Sequence, residues 1–99
     1  MESYSIKISW DSEKAKLNLT KHGVSFEEAI TVFANPLARI FPDDDHSEFE
    51  QREIIVGHSA RHRLLFIAFA ENEQGTIRII SARRATKAEQ TDYEKNQKK

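Results

Sequence analysis

The chain contains no cysteine, only two prolines, three glycines and one tryptophan, and its net charge is -1. Without cysteine there can be no disulfide, no thiolate metal site and no thiol nucleophile, which suits a reducing cytoplasm. So few glycines leave no phosphate-cradling loop, dinucleotide fingerprint or nucleophile elbow. No apolar run approaches the roughly 20 residues that a bilayer crossing needs. The opening MESYSIKISW lacks the basic-then-apolar pattern of a secretory leader, so the expectation is a cytoplasmic protein. Aromatic residues are also scarce. Phe26, Phe33, Phe66 and Phe69 read as core, leaving few rings to stack the bases of any nucleic-acid partner, so strong base specificity is not expected.

What is present is one domain's worth of chain, residues 1–99, with 38% hydrophobic and 31% charged residues. The charge is unevenly placed. Residues 1–50 carry ten Asp/Glu against five Lys/Arg, whereas residues 61–99 carry nine Lys/Arg against five Asp/Glu. Such a division points to a polyanionic partner or to two differently charged faces.

Local signals define the elements. SIKISW alternates at Ile6, Ile8 and Trp10 and predicts a short strand. Asp11 is placed to cap a helix running to about Lys21, and Gly23 suits the left-handed residue that closes it. Ser25 and Glu28 form a capping box, Val24 and Ala29 a hydrophobic staple, and Phe26, Ala29, Ile30 and Phe33 one apolar stripe of a second helix. Asn35-Pro36 ends it. LARIF predicts a short strand, and PDDDHSEFEQ a polar connection. REIIVGHS, RLLFIAFAE and TIRIISAR then follow, joined by links around Ala60–His62 and Asn72–Gly75 that are short enough for hairpins. Leu64 to Ala70 is apolar throughout, as a central strand covered on both faces would be. Thr86 and Glu89 form a last capping box, opening a helix to about Gln97. The expected class is α+β: strand, two helices, antiparallel meander, C-terminal helix.

The chemistry-bearing residues concentrate late in the chain. Arginine suits the binding of phosphate because its planar fork makes paired charge-assisted bonds and keeps its proton. Arg78 and Arg83 are the first candidates. An odd separation would put them on opposite faces of a regular strand, so either the strand ends or bulges before Arg83, or the two do different jobs. Arg63 would approach Arg78 if the hairpin lies beside the last strand. Arg61, Arg84, Lys87 and Lys21 are candidate contacts to a polyanionic partner. His22 in KHG is the best proton-transfer candidate, although a helix-capping role accounts for it equally well. Glu89 reads as a capping acid and Tyr93 as a packing residue, and either could also reach the active end. DDDH at 43–46 reads as a solvated acidic turn rather than a metal site. His58 and His62 have a spacing that gathers ligands only on a helix.

The segments WDSEKAKLNLTKHGVSFEEA, REIIVGHSARHRLLFIAF and RIISARRATKAEQTDYE, in that order over about residues 9–95, resemble the BrnT toxins of type II toxin–antitoxin systems. The resemblance implies a fold related to the RelE and ParE toxins. It also implies a metal-independent endoribonuclease that uses no cofactor, leaves a 2′,3′-cyclic phosphate and arrests translation. Arg78 and Arg83 would both belong to its active-site charge, with His22 matching the family's KHG segment. The implied partner is a BrnA-like ribbon-helix-helix antitoxin, in a heterotetramer or larger complex that binds its own operator through the antitoxin. Two other readings stay open: a non-catalytic module whose basic face receives an acidic protein, and a ParE-like toxin acting on a DNA-topology enzyme.

Overall fold

The computed structural model describes residues 7–46 and 50–97. The chain runs β1 (Ile8–Ser9), α1 (Ser12–His22), α2 (Phe26–Ile30), a 3-10 turn (Thr31–Ala34), β2 (Arg39–Pro42), a second 3-10 turn (Asp44–His46), β3 (Arg52–His58), β4 (Leu64–Glu71), β5 (Ile77–Arg84) and α3 (Lys87–Gln97). This is the α+β order expected, with β2 to β5 as an antiparallel meander in a five-stranded sheet ordered β1-β5-β4-β3-β2. The first strand expected over SIKISW is present as β1, and the structure supplies its partner: it lies parallel to β5 with Ile8 opposite Ile77 and Ser9 opposite Arg78. Ile6 of the expected first strand lies outside the described residues.

The caps act as their sequences require except at α2, where Ser25 Oγ accepts the Glu28 N–H at 3.0 Å but the Glu28 carboxylate, expected to complete the box, binds Ser59 and Arg63 instead. Asp11 accepts from the backbone N–H groups of Glu13 and Lys14, at 2.8 and 3.1 Å. Gly23 takes φ 70°, a backbone that a side chain would strain, and its N–H closes α1 onto the Leu19 carbonyl. The second helix differs from expectation. It stays α-helical for five residues and then tightens into 3-10 geometry through Ala34, so the apolar stripe continues with fewer residues per turn.

Helices cover both faces of the sheet. Val24, Phe26, Ala29 and Val32, in and around α2, are buried against Ile55, Leu65, Ile67, Phe69 and Ile79, with Ala15 of α1 packed at the margin. Trp10 meets Phe26, and Phe33 meets Phe69, edge to face at 5.9 and 5.1 Å. On the opposite face α3 sets Tyr93 against a smaller cluster containing Ile54, Val56 and Ala68, with Leu64, Phe66 and Ile80 partly buried around it. Central strand β4 therefore serves both cores, which is why it is apolar from Leu64 to Ala70.

Two non-local contacts lock this arrangement. Buried Asn18 of α1 donates to the carbonyls of Val24 and Ala82, at 2.9 and 2.7 Å, and accepts the Ala82 N–H at 3.0 Å. One side chain thus satisfies the β5 edge beyond the end of β1. Gly57 is a glycine because a Cβ there would lie 2.8 Å from Ala38 Cβ and 3.0 Å from Val32 Cγ1.

Candidate active site

The register of β5 resolves the arginine problem. Phe69 pairs with Ile79 but Ala68 pairs with Ser81, so Ile80 is an extra residue in a bulge. Past the bulge the parity reverses. Arg78 lies opposite Ala70 and Arg83 opposite Phe66, and because Ala70 and Phe66 share a face of β4, so do the two arginines. Arg52, opposite Ala70, and Arg39, opposite Val56, join the same face from β3 and β2. The ladder thus gathers four arginines, two in each of two rows, on the face that carries α3.

Arg83 is held more firmly than an ordinary strand residue. Its Nη1 and Nη2 donate to Glu89 Oε1 and Oε2 at 2.8 and 2.9 Å, and Nη1 also donates to the Arg84 carbonyl at 3.2 Å. The guanidinium carbon lies 4.1 Å above the Phe66 ring centre. Glu89 completes the α3 capping box as well, accepting the Thr86 N–H at 2.8 Å and donating its own N–H to Thr86 Oγ1 at 3.1 Å. Arg83 holds the Glu89 carboxyl below its usual range, with partial burial opposing and Thr86 assisting, while Glu89 pushes the guanidinium pKa further up. A carboxylate so bound is a weak base. It holds Arg83 by the end-on fork, which leaves Nε–H and the second N–H of Nη2, the side-on edge, without a partner among the described residues.

Arg78 stands in the other row. It donates through Nη2 to both oxygens of Glu50, at 2.5 and 2.6 Å, and Glu50 also lies 3.8 Å from Arg52 Nε. Glu50 is exposed and Arg78 half-buried, so the charges of this pair are screened and exchangeable. The Glu50 carboxyl is held below its usual range chiefly by Arg78.

Arg63 corrects an expectation. It precedes Leu64, which pairs with His58, while Arg78 pairs with Ala70 at the far end of β4, roughly 20 Å along the strand. Its side chain turns toward the helices. There it binds the buried Glu28 through Nε at 2.9 Å and through Nη2, and reaches the Gly23 carbonyl at 3.2 Å. Ser59 Oγ donates to the same carboxylate at 2.7 Å, and exposed Arg61 lies 3.7 Å from it. Arg63, Arg78 and Arg83 therefore do not converge on one anion-sized spot, because each has its own carboxylate.

The remaining candidates scatter around this face. His22, half-buried at the end of α1, shares a shallow depression with Lys14, exposed Lys21, and Ile80 and Ser81 of the bulge. Tyr93 is 5% exposed and donates its hydroxyl to the Leu37 carbonyl at 3.1 Å; burial raises its pKa. It is a packing anchor for α3. Arg84 is exposed and pairs with Leu65, on the parity opposite to Arg83, and Lys87 is exposed at the start of α3. Among the described residues no group of His, Asp and Glu is gathered to hold a metal, and His62 is a left-handed turn residue at φ 64°.

Several residues at the site escaped the sequence reading. Glu50 and Glu28, the partners of Arg78 and Arg63, lie 28 and 35 positions away and carry no local signal beyond a capping box for Glu28. Phe66, read as core, is half-buried and supports Arg83. It also lines a groove of about 310 Å³ between β2 and α3, with Arg39, Phe41, Glu89, Asp92 and Tyr93.

A compact α+β domain with a guanidinium-rich sheet face fits the class of small ribonuclease toxins of type II toxin–antitoxin systems, and the sequence profile of such a family, described as "Ribonuclease toxin, BrnT, of type II toxin-antitoxin system", matches residues 10–89. The chain belongs to the BrnT family. Its class implies a protein antitoxin as partner. In fold it is similar to the Brucella abortus ribonuclease toxin BrnT, known from a 1.1 Å crystal structure, with a TM-score of 0.66. That likeness has 24% sequence identity and covers 84% of this chain and 100% of the other. No curated protein matches the chain.

Proposed function

We propose that this chain is a metal-independent endoribonuclease toxin that cuts single-stranded RNA on the α3-bearing face of the sheet and so arrests translation in the cytoplasm. Arg83 receives the scissile phosphate through its open side-on fork, and Arg78 exchanges Glu50 for a neighbouring phosphate. The observation that carries the reading is the clamped state of Arg83: Glu89 and Phe66 fix its plane while one donor edge stays available. A donor oriented in advance of the reaction needs no reorganisation as charge grows on the phosphorane.

In the reaction the 2′-hydroxyl loses its proton and forms a bond to phosphorus. The bond from phosphorus to the 5′-oxygen breaks, and that oxygen takes up a proton. The products are a 2′,3′-cyclic phosphate and a 5′-hydroxyl. His22, at the bulge edge of the same strand, is assigned the proton transfer, since imidazole can both give and accept a proton near neutral pH. Lys21, Arg61, Arg84 and Lys87 are assigned to more distant phosphates. The fold is assigned to the RelE-like toxins. The antitoxin is assigned to the BrnA-like ribbon-helix-helix type, in a heterotetramer or larger complex that holds operator DNA through the antitoxin.

The test is single-stranded RNA incubated with the pure chain in EDTA, with fragment ends analysed. Cyclic phosphate ends should form, and Arg83→Ala should slow cleavage roughly 10²–10³-fold, the usual loss for one transition-state donor. The pairing of Arg63, Arg78 and Arg83 with carboxylates favours one rival reading, a module that only binds an acidic protein. Intact RNA in this assay, with antitoxin binding retained, would establish that rival.

A further inference from the structure

Arg83 and Arg39 stand at the two ends of one row across the sheet, separated by Phe66 and Val56. With three strand spacings between them, their backbones are roughly 14 Å apart. The groove lies over this row, with Val56 and Phe66 as its floor and α3 as one wall. Its volume of about 310 Å³ is near the lower limit of ligand sites, room for one ring system rather than a long chain. Phe41 is 41% exposed, a high value for an aromatic side chain, and its ring meets Phe66 edge to face at 6.3 Å.

The polar groups of the groove are unequal. Glu89 is committed to Arg83, and the Tyr93 hydroxyl to Leu37. Asp92 and Arg39 commit no side-chain hydrogen bond or ion pair among the described residues. The groove therefore offers an aromatic face, one free carboxylate and one free guanidinium, immediately beside the phosphate donor.

We infer that this groove is a nucleobase subsite that holds the base of the nucleotide whose 3′-phosphate lies at Arg83, and that guanine fits it best. Single-stranded RNA is read by stacking splayed bases on aromatic rings and bonding their edges. A carboxylate accepts the paired N1–H and N2–H of guanine, and an arginine donates to O6 and N7. Adenine and cytosine offer Asp92 one amino group, and uracil a single ring N–H. The inference takes the position of the phosphate from the ribonuclease reading above. It replaces the expectation of weak base preference, which treated Phe66 as core and gave Phe41 no role.

The experiment titrates the folded chain with the four nucleoside 3′-monophosphates, followed by amide chemical shifts, in parallel with cleavage-site mapping on mixed-sequence RNA. The 3′-GMP should bind roughly tenfold tighter than 3′-UMP, shifting groove residues, because one good bidentate edge contact is worth about that. Asp92→Asn, a surface change, should erase that difference. Phe41→Ala should weaken all four nucleotides roughly 5–100-fold, the usual value of one base–aromatic stack. Equal affinity for the four overturns the guanine assignment, and absence of groove shifts overturns the subsite. Guanine-selective binding without any RNA cleavage would uphold the subsite and remove the ribonuclease reading. Cleavage that Phe41→Ala and Asp92→Asn leave unchanged in rate and preference would do the reverse.

Discussion

Replacing Glu28 by alanine separates the arginine that supports the fold from those proposed to face RNA. The Glu28 side chain is 4% exposed and that of its partner Arg63 is 21% exposed. Deletion leaves the Arg63 guanidinium with the Gly23 carbonyl at 3.2 Å, and Ser59 Oγ without its acceptor. Breaking a buried pair from one side costs about 3–5 kcal/mol, and the residual solvent access of Arg63 favours the lower figure. For a domain of this size about 3 kcal/mol corresponds to a melting temperature lower by roughly 12–24 °C. Arg63→Ala should cost a similar amount, and the double variant much less than the sum, since the two deletions remove one interaction.

The assay is thermal and urea unfolding of the four proteins by circular dichroism, with RNA cleavage measured well below each midpoint. A pH series adds a sign. Arg63 is the main cause holding the Glu28 carboxyl below its ordinary value of 4.5. The folded form is the stronger acid, so this stabilisation is complete above that value and fades as pH falls below it. Glu28→Gln should therefore lose less stability than the wild type as pH is lowered through this range. Additive single effects, or a melting temperature changed by only a few degrees, would show that the Glu28–Arg63 pair does not support the fold and return Arg63 to the candidates for RNA contact.

Other substitutions probe separate links. Asn18→Ala strands two carbonyls and one N–H in the α1–β5 contact, and thermal unfolding should report a loss of about 2–4 kcal/mol. Gly57→Ala pushes a methyl group into Ala38 and Val32, and urea midpoints should show about 1–3 kcal/mol of destabilisation. Glu89→Gln keeps the shape of the cap but discharges the clamp on Arg83. It should cost about 1 kcal/mol in stability, a modest sum because both partners are partly exposed. Single-turnover cleavage should fall by a larger factor than that loss implies, and an unchanged rate would show that Arg83 needs no orienting.

The caps, the helices and the order of the meander were legible because each is written within a few residues. Asp11, Gly23, Ser25 and the Thr86–Glu89 box act on backbone groups two to four positions away. The resemblance to BrnT was legible for the same reason, in contiguous segments. The geometry of the candidate site was not. A single extra residue at Ile80 decides that Arg78 and Arg83 share a face, and parity alone left that choice open. Which carboxylate holds which arginine depends on pairings 28 and 35 residues apart, and the Asn18 clamp spans 64. Composition located the positive charge in the second half of the chain, but only strand register decides which guanidinium keeps a free edge, because register sets which side chains meet.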